Sequence, residues 1–140
     1  MHKIEAIALF CEDIRDELNG MHSLVGIFGD NVNVSQIPGA MPKLAIYVRI
    51  HVPSDYDPCK FDIFIQQPGE DRQHVNSITL ELVQKTLMDA RKADNPIAGI
   101  ISKVIAAPFP VLNEGRLKVE LEFENEKLHL GGLNFKMATT

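Results

Sequence analysis

One cysteine and one histidine could act as a nucleophile and its general base. They lie on either side of a proline-containing loop. His51 precedes this loop and Cys59 lies at its end. A thiol nucleophile needs its base within hydrogen-bond reach, and proximity in sequence does not supply that geometry. No H-x-H, H-E-x-x-H or C-x-x-C spacing indicates a zinc site. The pattern favours structural thiols and dispersed surface histidines: His2, His22, His51, His74 and His129.

Carboxylates are the second group that could do chemistry, because hard oxygen ligands bind divalent cations. One acidic group is dense in the sequence, and another would form only if loops met at one end of a β-sandwich. The first comprises Glu12, Asp13, Asp16 and Glu17, and the second comprises Asp55, Asp57, Asp30, Asn31 and Asn33. The first group lacks the alternating ligands and the defined glycine of a calcium loop. Solvated turns are the favoured interpretation, with a metal site as the alternative.

The sequence around the serines and glycines also matches no motif for catalysis or phosphate binding. No G-x-S-x-G elbow surrounds Ser23 or Ser102. The glycines match neither a phosphate-cradling loop nor a dinucleotide fingerprint, and they are typical of turns and bulges. The sequence therefore predicts no catalytic residue and no cofactor.

The elements that position these residues are mostly strands. Apolar residues alternate along 44–51 and again along 117–124, which predicts two half-buried strands. Asn125-Glu126 predicts a turn into a C-terminal strand, with a bulge at Gly131-Gly132. Further strands are predicted at 4–10, 23–28, 61–66 and 97–107, giving about seven in all. Residues 12–17 fit either one helical turn or a solvated loop.

One segment has helical rather than β periodicity. Thr79 is the predicted N-cap, and Leu80, Val83, Leu87 and Ala90 recur at helical spacing through Arg91-Lys92. The sequence therefore predicts a mainly β protein, an antiparallel β-sandwich of immunoglobulin-like or C2-like architecture with one inserted helix. An α+β sheet with the helix on one face is the alternative. A single domain spanning residues 1–140 is expected from the length.

Three outward-facing side chains are candidates for contacts with a partner: Tyr47, Arg49 and Phe64. Strand alternation places them opposite the inward sets, and these residue types are enriched in interface cores. The competing interpretation is internal packing, in which the helix after Thr79 covers the same face.

Composition limits the environment and the partners. The chain is 45% hydrophobic and 24% charged, as in globular proteins, and its net charge of −5 argues against nucleic acid or anionic membrane as a partner. No apolar run is long enough for a membrane span, and Glu5 interrupts the N-terminus before any signal-like apolar region. Two distant cysteines favour a reduced, cytoplasmic location.

Several segments resemble an uncharacterised bacterial family, a domain of unknown function. They are Cys11-x-x-Ile14-Arg15-x-Glu17, Ser23–Phe28, Pro42-x-Leu44-x-Ile46-Tyr47-Val48-Arg49, Phe109-Pro110, Glu114–Leu117 and Leu133–Phe135. The resemblance covers most of the chain and implies a compact bacterial domain, with no catalytic residues.

A non-catalytic protein-binding or assembly module is therefore the leading functional hypothesis. Its partner would be a second copy of the chain, in a homodimer, or another protein. The alternative is an enzyme that binds a small ligand or a metal through loop carboxylates.

Overall fold

The computed structural model describes residues 3–138 and is a β-sandwich with one inserted helix; His2 lies outside the described residues. The described part of the chain forms eleven strands and one α-helix. The strands are β1 (Glu5–Asp16), β2 (His22–Ile27), β3 (Asn31–Val34), β4 (Gly39–Met41), β5 (Leu44–Pro53), β6 (Phe61–Gln66), β7 (Gln73–Ile78), β8 (Ile97–Ala106), β9 (Phe109–Val111), β10 (Gly115–Phe123) and β11 (Glu126–Met137). The helix is α1 (Leu80–Lys92).

The strands form two main sheets and one small one. Sheet A has the order β2-β1-β5-β8, sheet B has the order β3-β11-β10-β6-β7, and β4 pairs with β9. All pairings are antiparallel except that between β3 and β11. The inward side chains of both main sheets belong to one hydrophobic cluster. The predicted sandwich is thus confirmed.

Alternation along two strands produces the layering. Leu44, Ile46 and Val48 of β5 are buried beneath sheet A. Leu117 and Val119 of β10 are buried beneath sheet B, as the sequence predicts. Apolar side chains on one face of each strand therefore meet between the sheets. Removing these side chains from water stabilises the packing of the two sheets.

The helix closes one edge of the sandwich. Thr79 Oγ1 accepts a hydrogen bond from the Leu82 backbone N–H at 3.3 Å, which confirms the predicted N-cap. Val83 and Leu87 are fully buried in the main core. Because α1 connects β7 at the edge of sheet B to β8 at the edge of sheet A, its apolar side lies at this edge. The alternative α+β arrangement is therefore not the one observed.

Some sequence predictions differ from the structure. Residues 12–16 continue β1, so neither the helical turn nor the loop is correct. The turn between β10 and β11 is at Glu124-Asn125, one residue earlier than predicted, and both residues have positive φ. The bulge near Gly131 is present, because pairing with β10 skips one residue there. Four strands were not predicted: β3, β4, β7 and β9.

Among residues 3–138, no helix is both long enough and apolar enough to cross a membrane.

Candidate protein-interaction face

The outward side chains of sheet A form regular rows across three strands. Ile7, Arg49 and Ile101 are register partners on β1, β5 and β8 and form one row. In the next row, Tyr47 lies between Leu9 and Lys103. The adjoining rows are Glu5–His51–Gly99 and Cys11–Ala45–Ile105. Tyr47 and Arg49, two of the three predicted contact residues, therefore lie side by side on one surface.

Large apolar side chains in these rows are exposed to solvent. Ile7 is 54% exposed, Ile101 is 39% exposed and Ile105 is 49% exposed, while Leu9 and Tyr47 are half-buried. We call these five residues the apolar face. They come from three neighbouring strands, so they form a patch rather than isolated exposed residues, and such patches are typical of interaction surfaces.

Arg49 carries the charge at the centre of this surface. Its guanidinium lies close to Gly99 of β8. Within residues 3–138, no carboxylate lies within ion-pairing distance of Arg49. By contrast, the Lys103 ammonium donates a hydrogen bond to the Asp16 carboxylate. Arg49 therefore keeps its hydrogen-bond donors available beside two exposed isoleucines.

The β1–β2 hairpin covers the other end of the same surface. Cys11 and Ala45 are fully buried with Ile14 in a second small cluster, against which Leu24 and Tyr47 pack. This cluster is separate from the core between the sheets. The hairpin therefore protects one part of the outer surface and leaves the rows around Arg49 open.

The outer surface of sheet B is polar. Phe64 lies there, opposite Glu120 in the register and next to His74. The Arg72 guanidinium carbon lies 4.1 Å from the centre of the Phe64 ring, and Arg72 also pairs with Glu122 at 3.2 Å. Phe64 thus faces outward as predicted, but it does not share a surface with Tyr47 and Arg49. The helix does not cover the exposed apolar face, because its buried residues point into the core.

A serine, a histidine and an aspartate meet on β6 and β7, but not as a catalytic triad. His74 Nε2 lies 3.0 Å from Asp62 Oδ1 and 2.8 Å from Ser77 Oγ. Ser77 Oγ donates to Asp62 Oδ1 at 2.6 Å. A triad needs opposite ring nitrogens to contact the serine and the carboxylate, whereas here one nitrogen contacts both. The cluster instead links the two strands, whose pairing was not visible in the sequence.

The candidate nucleophile is held in its unreactive form. Burial, together with the neighbouring Glu124 carboxylate, raises the pKa of Cys59 to about 12. The same carboxylate accepts a hydrogen bond from the Tyr56 hydroxyl at 2.7 Å. His51 lies on the outer face of sheet A. Cys59 packs against the main core, and its raised pKa disfavours the thiolate, which is the reactive form.

The carboxylates of the first acidic group are held separately. Asp13 accepts a hydrogen bond from Lys43, which with other contacts holds the pKa of this carboxyl below its usual value. Asp16 pairs with Lys103 at the other side of the hairpin. In the described part of the chain, no three histidine, cysteine or acidic side chains are grouped so that they could hold a metal ion.

The isoleucines that make the outer surface of sheet A apolar were not among the predicted contact residues. The segment 4–10 is apolar on both faces, so its outward residues could not be separated from its core residues. In β8 the signal was present, because Ile97, Ile101 and Ile105 alternate with buried positions. Because β8 pairs with β5, these alternating residues share one face with the outward residues of β5.

The sequence matches the model of DUF6941, a family of unknown function, over residues 6–136. The chain belongs to this family. The match covers nearly the whole described chain, which agrees with the resemblance noted from its sequence segments. A search of curated proteins finds no match, and a search of solved structures finds none.

Proposed function

We propose that this protein is a non-catalytic assembly module that self-associates through the apolar face of sheet A. The observation that carries the proposal is the contrast between the two outer surfaces of the sandwich. One has exposed isoleucines around an arginine that has no ion-pair partner among residues 3–138, and the other has charged and polar side chains in cross-strand contacts. Exposed apolar side chains that are grouped on neighbouring strands are typical of interaction surfaces.

The composition of the face supports protein as the partner. Tyrosine and arginine are the residue types that most often dominate binding energy when a partner excludes water from them. Tyr47 is already packed on one side by His22, with ring centres 5.8 Å apart, so its orientation is fixed before binding. Such preorganisation reduces the entropy lost on association.

A second copy of the chain is the proposed partner because the same surface carries both charge signs. Glu5 is exposed in the row beside Arg49. In a two-fold dimer each surface contacts its own counterpart, so an unpaired cation on one copy can meet a carboxylate on the other. Charge complementarity of this kind favours correct pairing over nonspecific association.

Size-exclusion chromatography with light scattering tests the proposal. Wild-type protein should have the mass of a dimer, and Ile101→Lys should reduce it to that of a monomer. Lys118→Glu is the control, because Lys118 is an exposed residue on the outer surface of sheet B. A monomeric wild type, or dimers for all three proteins, would contradict the proposal.

We also propose a cytoplasmic location in a bacterial cell. It is supported by two free cysteines, one of them fully buried, which have no need of an oxidising compartment. Thiol titration of denatured protein purified without reductant should find both thiols free, and an oxidised pair would argue for an extracytoplasmic location.

A further inference from the structure

The two edges of the sandwich are closed to different extents. At one edge, α1 fills the space between β7 and β8, and the Asn76 and Ser102 side chains are hydrogen-bonded across it. The opposite edge is formed by β2 and β3. A cavity of about 790 Å³ lies there, lined by both strands and by the chain around β4. This volume is within the range of pockets that bind small molecules or short peptide segments.

The floor of this cavity is apolar. Phe28, Val32 and Val34 line it and pack against the main core, yet each stays only half-buried. Met41 beneath them is buried. The floor therefore exposes side chains that would lose contact with water if a ligand filled the cavity.

Both strands beside the cavity have unused backbone groups. Among residues 3–138, β2 pairs only with β1, and β3 pairs only with β11. Edge strands present N–H and C=O groups that an added strand can bind. Asn33 and Gln36 also line the cavity, and amide groups of this kind can hydrogen-bond to a peptide backbone. This polar lining suits an extended peptide better than a purely apolar ligand.

The rim carries two cations, Arg15 and Lys43, and two carboxylates, Glu12 and Asp13. Lys43 is bonded to Asp13, whereas the Arg15 Nε lies 3.9 Å from Asp13 Oδ2, beyond hydrogen-bonding distance. The Arg15 side chain is 66% exposed. Its guanidinium can therefore bind a second carboxylate through two parallel hydrogen bonds.

We propose that this cavity binds an extended peptide segment of a partner protein, with apolar residues at alternate positions and one acidic residue that meets Arg15. In an added strand, alternate side chains point to the same side. One set of peptide side chains can therefore contact the apolar floor while the peptide backbone pairs with an edge strand. The acidic residue fixes the register through Arg15. The site is independent of the apolar face of sheet A, since none of that face's five residues lines the cavity.

Selection from a phage-displayed library of random peptides tests this site. Wild-type protein should enrich sequences with alternating apolar residues and a fixed acidic position. Arg15→Glu changes an exposed side chain, and it should abolish the acidic preference and weaken a selected synthetic peptide by about tenfold in calorimetry. The conservative variant Arg15→Lys should retain part of the affinity.

A variant of the apolar face separates this site from the proposed assembly surface. Ile101→Lys should bind the selected peptide with wild-type affinity even if it no longer dimerises. No enriched sequence family on wild type, an unchanged acidic preference on Arg15→Glu, or loss of peptide binding in Ile101→Lys would each overturn the proposal.

Discussion

Arg49 and Ile101 are directly opposed across β5 and β8, with both side chains on the outer surface of sheet A. The register of these two strands therefore places a cation with no ion-pair partner among residues 3–138 beside an exposed apolar side chain. Charged residues flanked by apolar ones become strong contacts only when a partner excludes water and supplies the opposite charge. This pair is the centre of the proposed assembly surface.

The core assignment predicts a large effect at Phe123. Its ring is buried and lies 5.3 Å from that of Phe61, centre to centre. Phe123→Ala should lower the free energy of unfolding by roughly 3 to 5 kcal/mol, through lost burial and the cavity that remains. Chemical denaturation measures this change. Lys118→Ala is the matched control on the same strand and should be nearly silent, because Lys118 is exposed.

Glu122 should not be silent, although strand alternation alone suggests that it would be. It pairs with Arg72, and both side chains are only 29% exposed. Glu122→Ala should cost at most about 1 kcal/mol of unfolding free energy. Adding salt should reduce the difference from wild type, and an unchanged difference in high salt would argue against an ion-pair contribution.

The thiols of the folded protein should react slowly at pH 8. Burial raises the pKa of Cys11, and burial together with Glu124 raises that of Cys59 to about 12, so little thiolate is present. Reaction with an aromatic disulfide reagent should accelerate as the pH rises toward 12. Glu124→Gln should accelerate the reaction of Cys59, because it removes the carboxylate. Equal rates for folded and denatured protein at pH 8 would contradict the described environment.

The same raised pKa predicts a loss of stability in alkali. A thiol that is protonated in the folded state stabilises that state below its ordinary pKa of 9.0, and this contribution is lost as the pH rises toward 12. The denaturant midpoint should therefore decrease above pH 9, and it should decrease less in Cys59→Ser. Identical pH profiles for the two proteins would show that Cys59 does not contribute.

Asp62 should titrate below the usual range for an aspartate. Burial opposes its ionisation, but hydrogen bonds from Ser77 and His74 outweigh burial and lower the pKa of the carboxyl. The ionised group stabilises the fold above pH 3.8, and this stabilisation is lost as the pH falls through the lowered pKa. Ser77→Ala should raise the pKa, as measured by NMR titration. An unchanged pKa in this variant would exclude the Ser77 hydrogen bond as a cause.

Much of the fold could be predicted because several elements carry strong local signals. The alternation along β5 and β10 and the capped periodicity of α1 gave the sandwich and the helix. The missed strands are short or polar: β4 and β9 have three residues each, and β7 reads Gln-His-Val-Asn-Ser-Ile. Such segments become strands because a neighbouring strand satisfies their backbone hydrogen bonds, which no local pattern encodes.

The candidate site could be predicted only in part for a related reason. Alternation shows that Tyr47, Arg49 and Phe64 point away from the core, but not which sheet each strand joins. Pairing of β6 with β10 puts Phe64 on sheet B, whereas pairing of β5 with β1 and β8 surrounds Arg49 with isoleucines. Sheet order is a long-range property, so the composition of the face emerges only in the folded chain.

Sedimentation velocity over a wide concentration range tests the assembly surface most directly, using wild type, Tyr47→Glu and Phe64→Glu. The two substituted residues are half-buried aromatics on the outward sides of β5 and β6, so they form a matched pair. Circular dichroism should first show that both variants remain folded. Wild type and Phe64→Glu should sediment as a concentration-dependent dimer, and Tyr47→Glu as a monomer. A wild type that stays monomeric at every concentration, or a folded Tyr47→Glu that dimerises as wild type does, would contradict self-association through sheet A.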